Sequence, residues 1–341
     1  MKQNLIHRMK RATLLSALVA LLLPAASCES IYDGEEVCPE PIREYYIRFI
    51  YDMNLLYADA FNSQVKSVDL YVFDAQTNAF VAHYAEQGAP LTQEGYLMKL
   101  DLEPGTYNFL AWGGLANNNG DFMLGTSNVL RVEDLSCVMA RSTDAAGAYS
   151  DRDLHALFHG TVSATLPDEE GIHIATLPMM KDTNGVILTL SHLDDTFDAD
   201  RFVVTMTDAN GGMAGDNSLN DDEVIEYRPW NVRTGTVDTG SLQGEMGFLS
   251  VEFTTARLMA DHESRITIFD TQKGEPVFSI PLVKYALELR SAHYADMDDQ
   301  EYLDREDSYD IMVFLQDPEN WAGVTIVING WHVIDNGQVT L

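Results

Sequence analysis

Apolar and polar side chains alternate with a period of two over much of this chain, starting at Tyr45. Residues 45–51 are mostly aromatic or β-branched. In 65–73, Val68, Leu70 and Val72 fall on one face of an extended chain, and Asp69, Tyr71 and Phe73 on the other. Residues 74–78 read as a turn into a strand at 80–84. Tyr96, Met98, Leu100 and Leu102 alternate again around Lys99 and Asp101. Pro104 and Gly105 take the second and third positions expected of a type II turn. Residues 106–112 then return as a strand, with Tyr107, Phe109 and Ala111 on one side. Short strands punctuated by turns at this spacing point to a β-sandwich rather than a parallel sheet.

Between 113 and 149 the periodicity fades into loop-like sequence. Residues 151–159 read as one or two helical turns before a strand at 160–165. The polar stretch Pro167, Asp168, Glu169, Glu170, Gly171 is the best candidate for a domain boundary. Strand texture resumes at 186–190, 201–207, 224–227, 247–253 and 265–269. One segment is helical: in 281–289, Leu282, Tyr285, Ala286 and Leu289 share a face and Pro281 opens the turn. Residues 309–315 and 324–328 are again β, and Asn336-Gly337 marks a tight hairpin. The tail beyond that dipeptide is too short for a long free strand, so it is expected to fold back on its own domain.

The start of the chain has a different pattern. Lys2, Arg8, Lys10 and Arg11 precede an apolar run at 14–23, and small residues at 25–27 lead to Cys28. A charged stretch, an apolar stretch and small residues form the layout of a secretory signal, here residues 1–27. The run is roughly half the ~20 residues that a spanning helix needs. Residues 28–42 are acidic and carry Pro39 and Pro41, and so read as a tether. The periodic sequence beyond it divides into an N-terminal domain, 43–168, and a C-terminal domain, 169–341.

Charge narrows the partners. The chain has 53 acidic and 21 basic residues, a formal net charge of −32. Such an anion repels phosphates, which excludes nucleic acid as a partner. Since 46% of residues are hydrophobic, the acidity does not imply disorder; solubility of an exported protein is the better reading of it, over cation binding. Export also places Cys38 and Cys137 in an oxidising compartment. They either bridge, closing a loop of about 100 residues worth ~4–5 kcal/mol, or remain two buried thiols.

Candidate chemistry is sparse. His155 and His159 would share a helical face, but the glutamate of the zinc-protease pattern is missing, so packing is the better reading. Residues 216–223 alternate oxygen donors as calcium loops do. Asp221, however, stands where the turn glycine belongs, and Tyr227 where the bidentate glutamate belongs. Gly-x-Ser-x-Gly, a P-loop and Cys-x-x-Cys are absent. No catalytic residue, metal ligand or cofactor is expected, and the protein reads as a non-enzyme.

The residues before Cys28 resemble a bacterial lipobox, in which that thiol is acylated and becomes the first residue of the mature chain; Ala25 stands where leucine is usual. Several further blocks agree in order: Arg48 to Asn54, Tyr57 to Phe61, Val68 to Asp74, Leu102 to Tyr107, Ala111 to Leu115, Gln300 to Tyr309, and Ile328 to Trp331. Together they resemble the FimB-type fimbrial anchor, or minor-subunit, lipoproteins of Bacteroides-type (type V) fimbriae. That resemblance implies an all-β fold of two tandem transthyretin-like β-sandwich domains, with a short helix in the second. It also implies lipidation at Cys28, residence in the outer membrane as part of a fimbria, and fimbrial shaft subunits as partners. The role implied is to hold the base of the fimbria and limit its length. Shaft precursors of this family are cleaved after an early arginine; here Arg43 and Arg48 are expected to stay uncut, since cleavage would part the body from its lipid. A surface glycan- or ligand-binding lipoprotein is the alternative, suggested by the 4 Trp and 15 Tyr.

Overall fold

The computed structural model describes residues 42–341 apart from 117, 126–128, 193–197, 239–244, 316–323 and 334–341. The chain opens with β1 (Arg43–Ile50), a short helix α1 (Phe61–Gln64), β2 (Ser67–Asp74), β3 (Phe80–Gln87), β4 (Met98–Leu100) and β5 (Gly105–Gly113). Four short strands follow: β6 (Phe122–Leu124), β7 (Ser136–Met139), β8 (Ser142–Asp144) and β9 (Gly147–Ser150). Next come β10 (Phe158–Leu166), β11 (Gly171–Pro178), β12 (Met180–Lys181), β13 (Thr183–His192), β14 (Phe202–Asp208), β15 (Gly212–Ala214) and β16 (Ile225–Tyr227). The chain continues through β17 (Asn231–Asp238), β18 (Glu245–Ala256), β19 (Arg265–Asp270) and β20 (Glu275–Pro281). Helices α2 (Leu282–Leu289) and α3 (Asp299–Arg305) precede β21 (Ser308–Leu315), β22 (Val324–Ile328) and β23 (Trp331–Val333). The fold is all-β, with sheets stacked face to face.

The first pair of sheets forms as the alternation predicts. β1 buries Tyr45, Ile47 and Phe49 and turns Arg48 outward. It is the middle strand of β11-β1-β4, parallel to β11 and antiparallel to β4. The facing sheet has the order β12-β10-β5-β2-β3. Val68, Leu70 and Val72 meet Ile47, Phe49, Phe61, Phe109 and Leu177 in one core. Each such side chain, fully buried, contributes ~1.5–3 kcal/mol. The expected boundary at 168/169 falls in the turn between β10 and β11. β11 still runs beside β1, and the chain passes from the first core to the second between Met179 and Val186.

The second pair has the orders β17-β18-β13-β21-β22-β23 and β20-β19-β14-β16-β9-β8. Leu188, Leu190, Val204, Met206, Val251, Phe253, Ile266, Ile311 and Val313 fill the space between them. Helix α2 begins where β20 ends, with Pro281 as its N-cap, and buries Leu282, Val283 and Ala286. Helix α3 is capped by Asp298, whose carboxylate accepts hydrogen bonds from the Gln300 and Glu301 amides.

Three local expectations are corrected. Residues 113–149 are not all loop: β7 pairs with β15, and β9 runs parallel to β16, so this segment is built into the second half. Their partners lie far along the chain and each strand is only 3 or 4 residues long, too short to show a period. Beneath β6 and β7, Tyr71, Phe73, Leu110 and Trp112 from the outer face of the first half join the second core. Residues 43–341 consequently form one compact unit. Residues 151–157 form neither helix nor strand; Leu154 and Leu157 are buried at a spacing that imitates a helix. Finally, Gly105 is not the left-handed corner of a type II turn but the first residue of β5, paired with Leu166. A Cβ there would lie 3.2 Å from the Tyr107 ring, whose hydroxyl donates to the Glu103 carbonyl at 3.0 Å.

Candidate functional site

Cys28, Cys38 and the Asn336-Gly337 hairpin lie outside the described residues. Cys137 is a free thiol, fully buried on β7 between Leu124 of β6 and Met213 of β15. Burial pushes its pKa well up, which leaves it a packing residue with little thiolate character.

The two histidines serve separate anchors instead of sharing a face. His155 and Arg152 both bind the buried Asp121 carboxylate, through Nδ1 at 2.7 Å and Nε at 2.6 Å. That carboxylate also accepts the His155 backbone N–H at 2.9 Å, an N–H that a helix would have used within itself. His159 lies edge-on to Trp112, with Nε2 2.9 Å from the Gly215 carbonyl oxygen. Burial lowers its pKa to about 4, so the ring is neutral and donates to that carbonyl.

The acidic loop 216–223 spends its oxygens internally. Asp216 accepts from the Ser218 amide and hydroxyl, Asp222 pairs with Arg141 at 2.9 Å, and the Asn217 amide donates to Asp182 at 2.9 Å. Among the described residues, no group of three or more His, Cys, Asp or Glu is arranged to hold a metal.

Open strand edges are the surfaces best suited to a protein partner, because an edge presents a row of unpaired N–H and C=O groups. β11 ends its sheet and carries Ile172 and Ile174, 65% and 51% exposed, on the outer face beside Tyr46. β17 ends another sheet, with Val232 at 55% and Val237 at 48% exposure. Both are eight residues long, ample for strand addition. Arg43 and Arg48, in contrast, sit on β1 opposite Gly171 and Thr176 of β11, on either side of the stretch that β4 also pairs, and Arg43 pairs with Asp168 at 3.0 Å.

A junction ties the loop after β1 to the helices of the second half. Arg305 donates from Nη1 to the Asp52 carbonyl at 3.1 Å, and its guanidinium carbon lies 4.5 Å from the Tyr57 ring centre. Tyr294 donates to the Leu55 carbonyl at 3.3 Å. Deeper in, Arg257 forms a bidentate pair with Asp304, both bonds 2.8 Å, and also donates to the Asn217 carbonyl. Three of the sequence blocks quoted above, 48–54, 57–61 and 300–309, thus meet in space. Sequence reasoning placed them in order but not together.

The family model described as Fimbrillin-A associated anchor proteins Mfa1 and Mfa2 matches residues 35–337. No curated protein matches the chain. Among solved structures, a "putative adhesin" from Bacteroides thetaiotaomicron is 32% identical, with a TM-score of 0.75 over 85% of this chain and 96% of that one. Another protein of Bacteroides thetaiotaomicron, described among "putative polysaccharide binding proteins", is 29% identical, with a TM-score of 0.74 over 87% of this chain and 100% of that one. The fimbrial anchor protein Mfa2 from Porphyromonas gingivalis shares the fold at 17% identity, with a TM-score of 0.64 over 85% of this chain and 98% of that one.

Proposed function

From the membership of this chain in the fimbrillin-A associated anchor family, we propose that it is an outer-membrane lipoprotein, held by an acylated Cys28, that seats the base of a fimbria and limits its length. The family makes it a fimbrial accessory protein; anchoring and length control are the finer reading. The observation that carries this reading is the position of β1. The strand lies between β11 and β4 with Tyr45, Ile47 and Phe49 in the core, so removing it would expose a large apolar surface. A subunit that keeps its first strand stays joined to the tether before it, and through the tether to the lipid.

Two acyl chains, at about 0.8 kcal/mol per buried methylene, hold a protein stably to a membrane, whereas one holds it only marginally. Shaft subunits would then dock by adding a strand to an open edge such as that of β11 or β17.

A second reading, a glycan-binding surface lipoprotein, is favoured by one cleft of about 660 Å³ between the halves. Its walls are largely apolar, with Phe73, Val132 and Val162 among them, and Asn78, Asn108, Glu133, Thr161 and Ser163 place amides, a carboxylate and hydroxyls suited to sugar hydroxyls around them. Affinity purification from cells separates the two. Recovery of a fimbrial shaft protein supports the anchor, and saturable polysaccharide binding without shaft protein supports the alternative.

A further inference from the structure

A cavity of about 180 Å³ lies where the loop after β1 meets α2, α3 and β22. Its walls include Leu55, Leu289, Tyr294, Tyr302 and Tyr309, and Glu306 supplies the carboxyl group. Tyr302 and Tyr309 are buried and fix the shape of the hollow. The Glu306 carboxyl is poorly served: the Ser308 amide reaches it at 3.4 Å, and the Asn329 side chain is its other hydrogen-bond partner. Among the described residues no lysine or arginine pairs with it. The basic groups around it are engaged elsewhere. Arg290 holds Asp299 at 2.6 Å, Arg305 holds Glu301 at 2.9 Å, and Lys181 holds Asp307 at 2.7 Å. Asp304 is taken by Arg257.

A carboxylate set among aromatic rings, with no positive charge of its own, is the chemistry that recognises a cation. The volume is too small for a sugar or nucleotide, whose pockets run from about 300 Å³ upward, and suits one unbranched side chain. The net charge of −32 draws cationic partners toward the whole surface. We infer that this cavity receives an alkylammonium group, the end of a lysine side chain presented by a partner protein, with Glu306 as its counter-ion and the tyrosines as its walls. That the lysine comes from a fimbrial subunit rests on the anchor reading; that the cavity takes an alkylammonium does not.

Burial raises the Glu306 pKa to about 7; Asp307 is the charged neighbour that acts on it, Tyr294, Tyr302 and Tyr309 share its cavity, and Arg290 and Asp304 act on Tyr302 and Tyr309 respectively. An ammonium bound there favours the ionised carboxylate. The test is nuclear magnetic resonance titration of the intact protein with n-butylammonium, n-butanol, Nα-acetyl-lysine amide and choline. Butylammonium and the lysine amide should bind, shift the Glu306 titration midpoint downward, and lose affinity about tenfold in Glu306→Gln. Wild-type affinity should also fall as pH drops below the Glu306 midpoint, a readout that does not depend on the variant folding. Equal binding of butanol, a preference for choline, undiminished affinity in Glu306→Gln, or affinity independent of pH would each overturn the assignment. Because the probes are small amines, a negative result leaves the anchor reading untouched, and loss of shaft protein in a pull-down leaves the cavity assignment untouched.

Discussion

Arg305 and Asp52 stand 253 residues apart in sequence, yet the arginine Nη1 donates to the aspartate's backbone carbonyl at 3.1 Å. The same guanidinium lies over Tyr57, a residue with φ of 52°. A single planar cation thereby fixes an unusual loop conformation and joins the beginning of the body to its end. Arg305→Ala is expected to cost ~2 kcal/mol, from the charge-assisted hydrogen bonds to the Asp52 and Asn54 carbonyls, the i,i+4 pair with Glu301 and the cation–π contact. Arg305→Lys should recover only part of this, because an ammonium cannot reproduce the planar stacking. Urea denaturation of the two variants checks both values.

Arg257 and Asp304 form the buried counterpart of that contact, with side-chain exposures of 11% and 9%. Asp304→Asn leaves the buried guanidinium without its counter-charge and is expected to destabilise by about 3–5 kcal/mol. Replacing both residues by apolar ones of similar volume should restore most of the loss. A double variant no more stable than Asp304→Asn would show that the pair contributes through its contacts to Asn217 and Gln300 instead.

Stability should depend on pH through two carboxyls held near 7 by burial, Asp182 and Glu306. Unfolded carboxyls titrate near 4, so between about 4 and about 7 the folded protein binds protons that the unfolded chain does not. Stability contributed by these groups therefore falls as pH rises through that window and is level above it. In Asp182→Asn the share from Asp182 disappears, so the variant should gain on the wild type steadily from about pH 4 to about pH 7 and no further above that. Asp270 acts in the opposite direction. Arg201 holds its pKa down to about 2, so its contribution is present above about 4 and is lost as pH falls toward 2. Denaturation curves across both windows, with Asp182→Asn and Asp270→Asn alongside, separate the two effects.

β1 should survive maturation. Cutting after Arg48 would withdraw Tyr45 and Ile47 from the core, each worth ~1.5–3 kcal/mol when buried. N-terminal sequencing of protein recovered from cells is expected to find no chain beginning at Glu44 or Phe49. Recovery of either would make this a processed shaft or tip subunit.

The strands that formed where the alternation placed them, β1, β2, β5, β13, β18 and β21, are long; β1, β13, β18 and β21 bury one face and β2 and β5 bury both, so each carries its pattern within itself. β6 to β9 were illegible because their stability comes from β15 and β16, some 60 or more residues on, and no local pattern records a partner. Gly105 misled for a related reason: Pro-Gly favours a turn locally, but the Tyr107 ring occupied the space that a side chain would need. At the junction, the residues of Arg48 to Asn54 and Gln300 to Tyr309 could be read as blocks, but their meeting depends on Arg305 and Tyr294 reaching carbonyl groups, which any sequence can offer. The cavity around Glu306 was hidden in the same way, since carboxylates are so abundant in this chain that one without a partner does not stand out.

The central claim is that a lipid on Cys28 holds the protein, and the fimbria with it, to the cell. Cys28→Ala tests it in cells labelled with radioactive palmitate, with the outer-membrane fraction and the culture medium assayed for this protein and for fimbriae. Label in the wild type only, and folded protein with attached fimbriae released into the medium by the variant, is the expected result. Variant protein and fimbriae that remain with the membrane fraction would contradict the account.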